Sequence, residues 1–384
     1  MRIKWVEQLF DKIEPTFSEG GKLGWLHSTF DAFHTFALTP KTITRSGSHI
    51  RDAVDSKRSI IVVIIALLPA LLFGMWNIGY QTAMSTGAGA DWHWIYMWWF
   101  GFLRMLPMIA VSYIVGLAIE FAFAQYRGHE VNEGFLATGL LIPMIVPVTT
   151  PLWQLALAVA FAVIIGKEVF GGSGMNFLNP ALVARAFLFF AYPTHMSGDK
   201  VWIASTWWGN DAIAGATPMG ELATGSAPSA SALDMLIGTI PGSTCETSFI
   251  AIALGAMLLL FTGIASWRIM LGVFLGGGLM GLLFNAIGGN AYMELPFYYH
   301  FLMGGFAFGA VFMATDPVTA AQTNAGKWIY GLLIGVFAVL LRVCNPAYPE
   351  GMMLSILFMN CMAPLIDHCI VARNIKMRER RIGK

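Results

Sequence analysis

The chain predicts an all-α polytopic membrane protein, with ten transmembrane helices in two inverted five-helix repeats that contain interrupted helices. Three observations predict this class. The 384 residues are 57% hydrophobic and only 12% charged, with a mean hydropathy of +0.65, a balance that belongs to membrane chains. Ten apolar stretches can cross hydrocarbon, near residues 59–79, 103–124, 135–150, 152–170, 176–193, 247–265, 268–287, 297–315, 327–344 and 351–371. Two tripeptides recur in the same order in the two halves: Pro147-Val148-Thr149 as Pro317-Val318-Thr319, and Asn179-Pro180-Ala181 as Asn345-Pro346-Ala347. An odd number of spans per repeat sets the halves in opposite orientation, which places a binding site or ion path near the bilayer midplane between broken helices.

In chain order, residues 1–58 form a retained cytoplasmic arm, because no cleavable signal pattern precedes the first long apolar run near Ser59. Trp5, Leu9, Phe10 and Ile13, then Trp25, Leu26, Phe30 and Phe33, recur at helical spacing among charges. Such a pattern suits short amphipathic helices on the membrane or on a partner, the alternative being a loosely packed tail. Residues 59–193 make the first repeat, where Pro143, Pro147 and Pro180 interrupt the helices; breaks of this kind are tolerated where protein or a cofactor surrounds the backbone. Residues 194–246 are the one long polar loop, 247–371 the second repeat, and 372–384 a basic tail.

The loops orient the chain. Basic residues gather in the arm (Lys41, Arg45, Arg51, Lys57, Arg58), at Arg127, Lys167, Arg268 and Lys327, and in the tail, all on one side, whereas loops 80–96, 194–246 and 288–296 contain only Lys200. Both termini are therefore expected in the cytoplasm and the 194–246 loop in the periplasm. Trp92, Trp94, Trp98 and Trp99, with Trp207 and Trp208, read as interfacial anchors on the outer side.

The net charge of +1, without basic runs interleaved with aromatics, gives no sign of a nucleic-acid partner. Cys245, Cys344, Cys361 and Cys369 lack metal-binding spacing, which argues against a zinc or iron–sulfur centre within the chain, and Cys245 has no nearby partner for a disulfide. Ionisable residues in or near spans are costly and so are functional candidates: Arg104, Glu120, Lys167, Glu168, Arg185, Asp316, Arg342 and Asp367. Arg104, Lys167 and Arg342 lie near span ends and read as snorkelling anchors. Glu120, Asp316 and Asp367 lie toward the cytoplasmic side, where carboxylates help strip water from a hard cation such as Na+. The alternative is capping or ion pairing, Asp316 before Pro317 being a natural helix starter.

Two segments suit a cofactor. The run from Gly166 to Pro180 holds Gly171, Gly172 and Gly174 ahead of Asn176 and Asn179, without the pattern of a P-loop or Rossmann turn. It reads as a helix break whose two amides either meet a flavin edge or cap a helix. The loop segment Asp211-Ala212-Ile213-Ala214-Gly215-Ala216-Thr217 ends in a hydroxyl behind small residues, slim enough to enter another enzyme's active site; its plain reading is an ordinary small-residue connection.

These segments, with Ile13-Glu14-Pro15, Ser48-His49-Ile50-Arg51-Asp52, His129 to Phe135, Ile240-Pro241-Gly242-Ser243 and Ala314 to Thr319, cover nearly the whole chain. They resemble the family that contains the B subunit of the sodium-translocating NADH:quinone oxidoreductase and the D subunit of the related Rnf complex, the long arm favouring the former. The match to the flavin attachment signal has one departure, Ala214 where Ser or Thr is usual. The resemblance implies FMN joined to Thr217 by a phosphoester through a dedicated flavin transferase, and riboflavin held within the membrane by Asn176 and Asn179. It implies quinone reduction involving Gly116 and Glu120, and a Na+ path through Glu120, Asp316 and Asp367. It further implies five partner subunits and a bacterial inner membrane. A flavin-free secondary transporter or channel with inverted repeats, or a structural membrane anchor, is the reading from another class.

Overall fold

The computed structural model describes residues 4–17, 24, 30, 34, 47, 56–87, 89, 91–128, 134–205, 215–345 and 351–383. Trp25, Leu26, Phe33, Lys41, Arg45, Arg51, Trp207 and Trp208 lie outside them, as do segments 48–52, 129–133, 211–214 and 346–350. The described residues are helical or irregular, with no strand. A multi-pass membrane protein is the architecture that results. Six helices are long and apolar enough to cross a bilayer, and three shorter apolar helices, Phe135–Ile145, Pro180–Ala191 and Phe249–Phe261, pack among them.

Helix α1 (Lys4–Phe17) carries the first apolar set of the arm, and Phe17 stacks on Phe30 at 5.0 Å between ring centroids. Helices α2 (Ser56–Ser85) and α3 (Trp94–Arg127) overrun the apolar stretches that mark them. At 1.5 Å per residue α3 reaches roughly 50 Å against a hydrocarbon core of about 30 Å, so its ends project beyond the apolar layer. His93 caps its start through Ile95 N–H, and Gly128 closes its end in the left-handed region. At the start of α3 Trp94 and Trp99 are exposed, whereas Trp92 and Trp98 pack against the core.

Helix α4 (Phe135–Ile145) is only 11 residues long and contains Pro143. A proline has no N–H to offer the carbonyl four residues earlier, here Gly139. The Ser112 hydroxyl of α3 donates to that carbonyl at 2.8 Å, and Tyr113 Oη donates to Leu136 O at 2.6 Å. Beyond the helix end, Cys245 N–H donates to Met144 O at 3.0 Å and the Thr244 hydroxyl to Val146 O at 2.6 Å. Side chains and a neighbouring loop thus replace the water that a broken helix lacks within a membrane protein.

Helix α5 (Leu152–Gly166) leads to a 3₁₀ turn, Glu168–Phe170, after which Gly171, Gly172 and Gly174 adopt φ of +117°, +94° and +91°. Only glycine enters that region without strain, so the expected helix break occurs there. Helix α6 (Pro180–Ala191) begins at Asn179, whose Oδ1 accepts from Ala181 N–H at 3.0 Å. Two short helices follow in the long loop, α7 (Pro218–Ala223) and α8 (Ala232–Ile237). A reciprocal capping box between Ser231 and Asp234 starts α8, and those hydrogen bonds hold the Asp234 carboxyl below its ordinary value.

Helices α9 (Phe249–Phe261) and α10 (Trp267–Ile287) open the second half. Where the sequence predicts one span over 297–315, the chain is broken: α11 (Phe306–Phe308) runs into a π-helical turn, Gly309–Met313. No helix then starts at Asp316, contrary to the helix-starter reading. Its carboxylate closes a tight turn by accepting from Val318 N–H at 3.2 Å and the Thr319 hydroxyl at 2.9 Å, and the next helix, α12 (Asn324–Cys344), begins at the Thr323 cap. Helix α13 (Gly351–Ile382) ends the chain.

The snorkelling reading of the three bases is also corrected. Lys167 is buried and ion-paired with Glu120. Arg104 turns to the long loop, where it donates to Ser205 O at 2.6 Å. Arg342 is fully buried, donating to His300 O at 2.7 Å, Met303 O at 3.1 Å and Gly304 O at 3.5 Å. These carbonyls belong to the broken stretch ahead of α11, and a guanidinium fork near a span end is better spent there than in headgroups. Arg342→Met is expected to lose the assembled fold, because each buried acceptor left unmade costs about 1–3 kcal/mol. Arg342→Lys should be intermediate, since it keeps charge without the fork. Thermal denaturation followed by fluorescence-detected size exclusion measures this, and parental stability of the Met variant would contradict the bracing role.

Candidate functional site

Six of the seven residues singled out from the sequence fall into two places. At one end of the bundle, a cavity of about 410 Å³ is lined by Asn176, Asn179, Asp316 and Lys167, with apolar walls from Leu141 and Phe312. Its size falls within the roughly 300–1,000 Å³ usual for ligand pockets. Asn179 draws the two halves of the chain together there: its Nδ2 donates to Asp316 Oδ2 at 3.5 Å while its Oδ1 caps α6. Asn176 Nδ2 donates to Leu178 O at 3.0 Å, and among the described residues nothing donates to its Oδ1. Asn176, which lines the cavity, therefore retains an unused acceptor, whereas the Asn179 amide is already engaged.

Gly116 and Glu120 lie beside this cavity, one helical turn apart on α3. A Cβ on Gly116 would stand 1.9 Å from Phe135 Cζ, so glycine is required for the ring to seat against the helix. The same ring lies 5.8 Å from Lys167 Nζ, and Lys167 is ion-paired with Glu120. Gly116, Phe135, Lys167 and Glu120 thus form one packed group joining α3, α4 and the end of α5. Next to it, Arg127 Nη1 pairs with Glu168 Oε2 at 3.2 Å.

Asp367 stands apart. Its carboxylate accepts from Gln322 N–H at 2.6 Å, Thr323 N–H at 3.0 Å and the Thr323 hydroxyl at 2.5 Å, holding the start of α12 from α13. This is capping at long range, by a residue 44 positions away.

Two further residues were not singled out from the sequence, Tyr330 and Asn360, both fully buried. With the Asn360 amide nitrogen facing Ile356 O (3.2 Å) and Tyr330 Oη (2.6 Å), its oxygen accepts from Asn179 N–H at 3.3 Å, an orientation that satisfies both ends of the amide. Asn360 thus extends the Asn179 network into α13. The sequence offered one signal, a lone asparagine in an apolar run, which must find partners in a membrane interior.

Thr217 occupies the opposite end. It is the N-cap of α7, its Oγ1 accepting from Gly220 N–H at 3.0 Å. Among the described residues no acceptor takes the hydroxyl proton. Gly215 packs flat on Ile203, where a Cβ would approach Cδ1 to 2.2 Å. Behind Thr217 a narrow cavity of about 60 Å³ is walled by Trp202, Pro241, Glu246, Met303 and Gly305. Below it, Arg185 pairs with Glu246 at 2.8 Å and donates to the Ser243 hydroxyl at 3.0 Å. The Thr217 hydroxyl, whose proton no described acceptor takes, suits a phosphoester at the start of α7, where a helix N-terminus favours an anion. A tricyclic ring does not fit a cavity of this size, so a flavin joined here extends away from this wall.

The family described as NQR2, RnfD, RnfE matches residues 43–376. A protein of Ectopseudomonas mendocina, named as the B subunit of Na(+)-translocating NADH-quinone reductase, is 48% identical over 98% of this chain and 99% of its own length. Proteins of the same name from Klebsiella pneumoniae and Haemophilus influenzae are 45% and 44% identical, with the same 98% and 99% coverage.

Proposed function

Because the chain belongs to the NQR2, RnfD, RnfE family, we propose that it is the membrane-embedded B subunit of a redox-driven sodium pump that passes electrons from NADH to quinone. The observation that carries this reading is the near full-length similarity to relatives of that name. The same names support it over the Rnf complex and over a flavin-free transporter. In this reading the chain works with five partner subunits in a bacterial inner membrane, accepts Na+ and quinone as substrates, and is matured by a flavin transferase.

FMN at Thr217 and riboflavin between Asn176 and Asn179 supply one- and two-electron chemistry when bound. The chain's own groups do the rest. The Thr217 oxygen would be the point of attachment, and in the first turn of α7 the Met219 N–H would be left for the phosphate, since Pro218 has none to offer and the Gly220 N–H is already given to Thr217 Oγ1. Asn176 Oδ1 is the free acceptor for a ring-edge N–H, while Asn179, Asn360 and Tyr330 hold the neighbouring helix start in place. Asp316 lines this cavity and Glu120 is paired with Lys167, which lines it too; in this reading the two carboxylates offset dehydration of Na+ on entry from the cytoplasm. Neutralising Glu120 or Asp367 should raise the Na+ concentration for half-maximal quinone reduction, and Asp316→Asn should do so less, since asparagine still closes the turn. Parental Na+ dependence in all three assembled variants would assign these acids to structure alone.

We read the membrane part as ten crossings in two inverted halves. Support comes from the repeated tripeptides: Pro147 and Pro317 each follow a short apolar helix, and Asn179 and Asn345 each stand shortly before the last helix of a half. In this topology both termini are cytoplasmic and the Thr217 loop periplasmic. Ser226 is exposed in that loop. A cysteine placed there, in a background without the native thiols, should react with an impermeant maleimide in intact spheroplasts. Labelling only after lysis would reverse the orientation.

A further inference from the structure

We propose that Lys167 is a tethered cation: it occupies the Glu120 carboxylate when Na+ is absent and gives it up when Na+ arrives, so that Lys167 sets the Na+ concentration at which the protein works. This rests on the reading of Glu120 as part of the Na+ path.

Lys167 and Glu120 are paired at 5% and 4% side-chain exposure, too buried for solvent to screen the contact. The neighbouring carboxylate, Glu168, already has its own cation in Arg127, so the Lys167 ammonium answers to Glu120. A Na+ entering this site would put two cations on one buried carboxylate, and one must leave.

The structure provides somewhere for the ammonium to go. Lys167 lines the 410 Å³ cavity that also contains Asp316. Among the described residues no lysine or arginine lies within 4.0 Å of the Asp316 carboxylate, which is held by Asn179, Val318 and Thr319. Moving the ammonium from Glu120 toward Asp316 as Na+ binds leaves each carboxylate with one cation, so no net charge is stranded in the interior. Lysine suits such a move, being a compact point charge on a flexible four-carbon stem, whereas arginine is a rigid fork. Its backbone position suits it too: Lys167 stands where α5 ends, directly before the glycine-rich break.

The test uses purified, assembled complex and the Na+ dependence of quinone reduction. Lys167→Met removes the competitor and should lower the half-saturating Na+ concentration by about fivefold or more, the low end of ordinary coupling between two sites. Lys167→Arg keeps the charge but pins it, and should raise that concentration. Opposite shifts separate competition from a general disturbance, which moves both variants the same way; shifts in one direction, or none, overturn the proposal. If Lys167→Met does not assemble, the parental complex decides: acetylation of the Lys167 amine by acetic anhydride, which forms the amide and releases acetate, followed by mass spectrometry, should be faster in Na+ than in choline. Equal rates overturn the proposal. Glu120→Gln is the control. Parental Na+ dependence in that variant rejects the Na+ reading of Glu120 together with this inference, whereas a shifted Glu120→Gln beside unshifted Lys167 variants rejects this inference alone.

Discussion

Thr217→Ala is expected to yield an inserted, full-length chain that carries no covalent flavin, read as complete loss of in-gel fluorescence from the denatured polypeptide. The structure sharpens the control. Thr217 also caps α7 through Gly220 N–H, and losing a cap costs about 0.5–2 kcal/mol. Thr217→Ser keeps both hydroxyl and cap, so it should retain flavin, while Thr217→Asn restores the cap without an attachable hydroxyl. A chain that is stable with asparagine yet dark on the gel separates attachment from folding. Fluorescence persisting on the denatured Ala variant would place the attachment site elsewhere.

The second large effect concerns Asn176 and Asn179, which the structure distinguishes. Asn176→Leu removes an unused acceptor from a residue that lines the cavity but removes no helix cap. It should empty the noncovalent flavin site with little change in thermal stability. Asn179→Leu removes the α6 cap and the bond to Asp316, so it should lose riboflavin and also stability, by roughly 0.5–2 kcal/mol for the cap alone. In both variants NADH should still reduce the upstream centres and the covalent flavin at Thr217 should remain, while quinone reduction fails. Riboflavin extracted and quantified from each assembled variant decides the matter; a full complement in both would reduce the asparagines to structural roles.

Much of the membrane architecture was legible because hydropathy is a local property. A span such as 268–287 is marked by its own residues, and α10 (Trp267–Ile287) occupies almost the same interval. Break points were partly legible for the same reason: the glycines after Lys167 interrupt a helix and Pro147 lies just past the end of α4, whereas α4 runs through Pro143 to Ile145. The 297–315 span was not legible, since its apolar composition suits one helix as well as the broken path that the chain takes there. The error over Lys167 and Arg342 has a related origin. Proximity to a span end is visible in sequence, but whether a base reaches water or a buried partner depends on what packs beside it.

By itself the sequence determined the class of the protein, the positions of most of its apolar helices and the glycine-rich helix break. All of these follow from composition and short-range geometry. Tertiary structure alone decided how the polar groups are used. Glu120 meets Lys167 across 47 positions, and Asn179 meets Asp316 across 137. In an apolar interior an unpaired polar group is costly, so most are matched, yet the chain carries many possible partners for each. Which match is made is set by the register of helices packed against one another, and that register is a property of the folded bundle.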